Sequence, residues 1–313
     1  MAQKKSRKSK AKQPLEVVAT FPITGGSFAN SVYDAGKNLS RMNRRLYRQC
    51  RNYQLSVNLR PESTIQVVEV FALRNDWAVQ KSVRMAYGAY LKSTADERAS
   101  MSSTQIARWE DFRIEHGVDT PNECSPVLHN SSLLGVPITV GEHDDTEVRD
   151  DSGNNFTFTF ASLVPAGKFG VLQEYDKYAD TQSSPSNTVG GAETPYDNIG
   201  ADLDQNAVDD LEERGNSPPY NAESVNSISP WVRVGVLGAT GTGQQRLSTG
   251  NFIAPCGLVV LKGYTYVGDP GTYEVSITHK TGDYKGVHAP SMLDGVSATG
   301  TQGTWRGNVW TKN

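Results

Sequence analysis

The chain has 313 residues, with 31 basic side chains against 34 acidic ones and 37% hydrophobic residues, enough for one large β domain or two smaller ones without disulfide staples. Its three cysteines, Cys50, Cys124 and Cys256, are scattered and form no CxxC pair, which argues against a disulfide framework or zinc ribbon and for a reducing compartment. No apolar run approaches the roughly 18 residues of a membrane span and none has the character of a secretory leader, so the sequons at Asn38, Asn130 and Asn155 are expected to stay unmodified.

The net charge of −3 conceals an asymmetry that begins at the N-terminus. Lys4, Lys5, Arg7, Lys8, Lys10 and Lys12 lie within the first 13 residues with no acid among them, leaving 25 basic residues against 34 acidic ones elsewhere. A segment so poor in apolar side chains cannot join a core and is expected to be a disordered arm. A basic tail on an acidic body suits a polyanion held by the tail and kept off the body. Phe21 to Asn38, rich in Gly, Ser and Asn, is expected to connect the arm to the fold. A second basic cluster follows, Lys37, Arg41, Arg44, Arg45, Arg48 and Arg51, with Tyr47 and Tyr53 interleaved. Arg41, Arg44 or Arg45, and Arg48 recur at helical spacing, so one short helix is expected to present them on a single face. Facing nucleic acid and facing acidic groups of a neighbouring subunit are equally open readings of that face.

Eight strands are expected after it. Residues 54–60 alternate, with Leu55, Val57 and Leu59 on one face, and 65–74 are apolar on both faces, as a central strand should be. Then Val79, Val83, Ala86 and Tyr90 set a helical period over about 77–98. Ser102 and Gln105 form a capping-box pattern for a second helix that carries Ile106, Trp109 and Phe112 and stops at Gly117. With too few apolar residues for their own core, these helices read as an insertion in a β protein. Strand patterns resume at 132–140, 156–164 and 169–178, the last two joined by a turn at Pro165–Lys168. A polar loop at about 179–229 exceeds the roughly 15 residues beyond which loops are uncommon and usually functional. Strands at 231–238, 256–268 and 271–279 follow, the last two joined by Gly268-Asp269-Pro270-Gly271. The last 34 residues are Gly- and Thr-rich, with Trp305 and Trp310 as candidate anchors onto a neighbouring surface.

Catalytic patterns are absent. The five histidines make no HxxxH or HExxH pair, and there is no GxSxG elbow. Gly238–Gln245 resembles a phosphate-binding loop, but Gln244 and Gln245 stand where a Walker loop needs Lys and Ser or Thr, so a flexible inter-strand loop is expected. Asp202-x-Asp204-x-Asn206 with Glu213 approaches a calcium loop but has Ala207 in place of its Gly. Asp144, Asp145, Glu147, Asp150 and Asp151 form a second acidic run. Asp144, Asp145, Asp202 and Asp204 are the candidate ligands of a structural divalent cation between subunits, though solvated loops are the plainer reading. No other cofactor and no enzymatic activity are expected.

Eight antiparallel strands with irregular connections fit an all-β fold, a single jelly roll with a helical insertion, better than a propeller or an open α/β sheet. With the segments MAQKKSRKSKAKQ and STGNFIAPCGLVVLKG (248–263), the strand series and the helical insert, the chain resembles small icosahedral virus capsid proteins. It is most similar to those of circular Rep-encoding single-stranded DNA viruses and the nodavirus-like and tombusvirus-like shells. Unlike many circovirus-like arms, this one is short and Lys-rich with only Arg7. The resemblance implies an arm at 1–38, a shell domain at 39–281 and a C-terminal extension at 282–313. It also implies self-assembly into an icosahedral shell, a genome (expected to be single-stranded DNA) bound by the arm and by Arg41, Arg44, Arg45 and Arg48, and a host receptor. Such a protein resides in the virion, and in the host nucleus or cytoplasm during assembly. The alternative is a cellular nucleic-acid-binding or lectin-like β-sandwich module.

Overall fold

The computed structural model describes residues 16–24, 29–43, 45–60, 66–119, 122–124, 145–149, 154–161, 164, 166–179, 230–239, 245–265, 272–294, 303–306 and 309–312. The protein is mostly β, with its principal sheets antiparallel, few helices and, among the described residues, no barrel.

Two strands arise where a connecting arm was expected, β1 (Val18–Thr24) and β2 (Ala29–Asp34), followed by helix α1 (Ala35–Met42). The physical reason is the period-2 burial of Ala19, Phe21 and Ile23, each at most 2% exposed. Pro22 is tolerated because β1 is the edge of its sheet. The expected arm therefore ends well before residue 38. β3 (Tyr53–Arg60) and β4 (Gln66–Leu73) lie where the alternation placed them.

The helical insert is α2 (Trp77–Ser93), α3 (Ala95–Ser100) and α4 (Ser103–Trp109). Asp76 caps α2 by accepting from the Val79 N–H at 3.0 Å, and Ser102 with Gln105 forms the expected capping box. The second helix stops at Trp109, earlier than expected; Phe112 and Gly117 follow in extended chain. Gly117, at φ 66°, allows close approach to another segment: a Cβ there would lie 2.0 Å from the Ala161 nitrogen. Short strands β5 (Asn122–Glu123), β6 (Glu147–Arg149), β7 (Asn155–Thr159) and β8 (Lys168–Gly170) come next. Then α5 (Val171–Ala179) occupies most of the strand expected at 169–178, because Val171, Leu172 and Tyr175 follow a helical repeat. The expected strand at 132–140 and the loop at 180–229 lie outside the described residues.

The chain resumes with β9 (Trp231–Ala239), β10 (Gln245–Arg246) and β11 (Phe252–Ala254), and a 3₁₀ turn at Pro255–Gly257 leads into β12 (Leu258–Thr265). β13 (Thr272–His279), the small hairpin β14 (Thr281–Gly282) and β15 (Gly286–Val287), and a last hairpin, β16 (Gly303–Arg306) and β17 (Val309–Lys312), complete the order. In that last hairpin Trp305 and Trp310 are directly opposed.

Two sheets face each other. One has the order β1-β13-β3-β11, the other β10-β9-β4-β12-β2-β5. Between them lies a core of Phe21, Leu55, Val57, Leu59, Val70, Leu237, Leu261, Val275 and Ile277, each such side chain contributing roughly 1.5–3 kcal/mol by leaving water. A third sheet, β6-β7-β8, joins α2 around a second core rich in Phe112, Phe156, Phe158, Phe160 and Phe169. The strand expected at 156–164 thus belongs to this subsidiary sheet. Among the described residues no helix is long and apolar enough to cross a membrane.

Arg113 is fully buried where the insert returns to the sheets. Its Nε donates to Asp111 at 2.8 Å and its Nη1 to Asp34 at 2.9 Å. Asp34 also caps α1 by accepting from the Lys37 N–H at 2.9 Å. The Gln49 amide joins the group, accepting from the Ile114 N–H at 2.7 Å and donating to the Ile114 carbonyl at 3.0 Å and to Asp34 at 3.3 Å. Burial works against the guanidinium's charge, but the two carboxylates outweigh it and hold its pKa above the ordinary value. Arg113→Met leaves two carboxylates buried without their partner and is expected to lower unfolding stability by about 3–5 kcal/mol. Chemical denaturation would measure this; an unchanged midpoint would show that the ion triad contributes nothing net.

Candidate nucleic-acid interface

The site is assembled from the end of α1, the irregular stretch 45–51 and the turn between β14 and β15. α1 ends at Met42 because Asn43 caps it, the Asn43 N–H donating to the Leu39 carbonyl at 2.9 Å. Hence Arg41 alone of the expected helical arginines sits on a helix, and the single basic helix face is not formed. Arg45 and Arg48 lie on irregular chain beyond the cap. Arg44 lies outside the described residues, as do Lys4, Lys5, Arg7, Lys8, Lys10 and Lys12.

Beyond the cap, aromatic rings and backbone oxygens organise the cations. The Arg51 guanidinium stacks 3.4 Å from the centre of the Tyr284 ring, and its Nη1 donates to the Ala289 carbonyl at 2.6 Å. Lys285 Nζ lies 5.3 Å from the same ring and 5.8 Å from that of Tyr47, and donates to the Leu46 carbonyl. Arg45 and the Tyr47 hydroxyl both donate to the Lys285 carbonyl, at 3.1 and 3.0 Å. The Arg48 N–H donates to the Tyr284 hydroxyl at 3.2 Å. Lys285 holds a left-handed φ of 50° in the tight turn of this hairpin, which fixes where its side chain departs. Arg51 and Lys285 form no ion pair with a described residue. The patch thus joins Arg45, Arg48, Arg51 and Lys285 with two tyrosines. Sequence reasoning missed Lys285 and Tyr284; Asp283-Tyr284-Lys285-Gly286 reads as a turn but gives no sign of which cluster it meets.

The N-terminal segment is fastened beside this patch. Asn43 and Glu16 exchange two bonds, the Glu16 N–H donating to Asn43 Oδ1 at 3.0 Å and the Asn43 amide to the Glu16 carbonyl at 2.9 Å. The next residue is held by His279, whose backbone N–H donates to the Val17 carbonyl at 2.9 Å while ring Nδ1 lies 2.7 Å from the same oxygen. Nε2 lies 3.1 Å from the Tyr33 hydroxyl. Nδ1 accordingly carries the proton and Nε2 accepts from tyrosine.

The cation candidates do not converge. Asp144, Asp202 and Asp204 lie outside the described residues. Asp145 lines a cavity of about 250 Å³ with Lys37, Arg41, Glu115, His116 and Glu123, among others. Its charges are already engaged in part: Lys37 with Glu123 at 3.4 Å, Glu115 with Lys168 at 2.5 Å, and Asp34 with Arg113. Among the described residues no group of three or more His, Cys, Asp or Glu side chains is placed to hold a metal ion.

No protein family, curated protein or solved structure matches this chain.

Burial, against the pull of the Val17 carbonyl, lowers the His279 pKa from the ordinary 6.5 to about 4. The unfolded chain therefore takes up this proton first as pH falls, so the contribution is intact above pH 6.5, shrinks between 6.5 and 4, and is constant below. The full loss is about 3 kcal/mol. His279→Gln is expected to flatten that part of the stability–pH profile, and parallel profiles for the two proteins would contradict the assignment.

Proposed function

We propose that the protein is a viral capsid subunit, a jelly roll that assembles into an icosahedral shell and packages single-stranded nucleic acid, DNA in our reading. The observation that carries the proposal is the meeting of the two basic clusters. The six cations of residues 4–12 precede Glu16, which is bonded to Asn43 between Arg41 and Arg45.

The strand order supports the fold half of this reading. β1, β13, β3 and β11 in one sheet and β2, β12, β4 and β9 in the other make successive strands cross between sheets except at β4 to β9. That interleaving is the double Greek key of a jelly roll, a fold shared by capsid, lectin and cupin domains. A lectin-like module is set apart by the basic arm, for which sugar binding has no use.

Electrostatic co-assembly follows. Lysines separated by small polar residues neutralise phosphates without reading bases. Six such contacts on a single strand give a salt slope of roughly −4 per arm, and a shell multiplies the effect by bringing many arms to one polyanion. The Arg51–Tyr284 and Lys285 patch offers stacking faces as well as charge, as suits single strands.

Deleting residues 2–13 is expected to leave the melting temperature unchanged and to lower the nucleic acid carried per particle severalfold. Absorbance and phosphate content of purified particles measure it, and undiminished packaging would contradict the role given to the arm.

A further inference from the structure

Three sulfur side chains from separate stretches of chain meet in the second core: Cys50, Cys256 and Met292. Cys50 lies just ahead of β3 in one sheet, and Cys256 sits in the 3₁₀ turn that carries the chain from β11 across to β12 in the other. The Met292 N–H donates to the Cys50 carbonyl at 3.3 Å. Its sulfur accepts from the Cys256 N–H at 3.3 Å and lies 3.8 Å from Cys256 Sγ. The Cys50 thiol hydrogen-bonds with that of Cys256 and also lies 3.5 Å from the Phe112 carbonyl. Both thiols are free and almost wholly buried. Cys256 is held at φ 55°, a left-handed conformation unusual for any residue but glycine, so its side-chain direction is imposed by the surrounding fold.

We propose that Cys50 and Cys256 are a redox latch, two thiols that close into an intramolecular disulfide when the protein meets a peroxide. One thiol, as its thiolate, attacks a peroxide oxygen; the O–O bond breaks, giving a sulfenic acid and, after protonation, water. The second sulfur then attacks the sulfenic sulfur, the S–O bond breaks, and hydroxide leaves to become a second water. Two thiols lose two electrons and two protons, and hydrogen peroxide is reduced to two waters. Burial, with the neighbouring Cys256 thiol, pushes the Cys50 thiol up, so the pair stays reduced in a reducing compartment and reacts through transient opening. Once closed, the bond joins the approach to β3 in one sheet to the approach to β12 in the other. It narrows the unfolded ensemble by closing a very long loop. Cys124 takes no part; it is buried in the other core, between the two principal sheets.

Cys124→Ser makes a protein whose only thiols are the proposed pair. Treated with hydrogen peroxide while folded, it is expected to lose both thiols, counted by alkylation after unfolding, without forming dimers. Non-reducing peptide mapping should find Cys50 linked to Cys256, with a melting temperature raised by oxidation and restored by dithiothreitol. In the unaltered protein the same mapping should recover Cys124 alkylated. Persistence of both thiols, conversion to sulfinic or sulfonic acids without a link, or a link through Cys124 or between chains would each overturn the proposal.

Discussion

A guanidinium with no access to water holds the architecture at its centre. Arg113 is placed between Asp111 on its own segment and Asp34 at the end of β2, and Asp34 also starts α1. The two carboxylates and one cation suppress each other's desolvation cost only while all are in register. Gln49 extends the group to the stretch after α1, and Thr146 Oγ1 accepts from the Arg113 N–H at 2.8 Å just before β6. Four segments far apart in sequence are therefore pinned to one point. An apolar core alone fills space without choosing among near-equivalent packings; a buried ion group tolerates only the arrangement that pairs it. Here it sets how the helical insert returns to the two-sheet core.

That pinning reaches the basic patch. α1 starts at Asp34 and ends at Asn43, and Asn43 holds Glu16. The chain upstream of Glu16 thus leaves the fold from a point fixed by the same helix that Arg113 positions. Cations that would repel one another if left in water are held by tyrosine faces and carbonyl oxygens: Arg51 on Tyr284, Lys285 on Leu46. An otherwise acidic chain keeps its surface from competing with the arm for a polyanion. In the proposed shell, arm and patch then act on the same strand of nucleic acid.

Much of the two-sheet core was legible because period-2 alternation is a strong signal wherever one face is buried. Leu55, Val57 and Leu59 announce β3, and the doubly apolar run around Val68 and Val70 announces β4. β1 and β2 were illegible for the opposite reason. Their apolar residues alternate over short spans beside Gly25, Gly26 and Ser27, and Pro22 suppresses a strand assignment that an edge position permits. α5 was mistaken for a strand because Phe169 and Val171 satisfy both periods over so short a run. The basic cluster was visible as composition, but its shape was not. Nothing in the order of residues says that Asn43 stops α1, or that a turn near residue 285 supplies the rings on which Arg51 and Lys285 rest. Arg113 gave no signal either: among Asp111, Phe112, Ile114 and Glu115 it reads as an ordinary surface arginine, and only the distant Asp34 makes it internal.

Size-exclusion chromatography of the recombinant protein, with negative-stain microscopy and the 260/280 nm absorbance ratio of each peak, bears most directly on the central claim. The account predicts uniform spherical particles whose ratio is that of a nucleoprotein. A stable monomer free of nucleic acid across salt and pH would contradict it and leave a two-sheet domain whose basic arm serves some other polyanion.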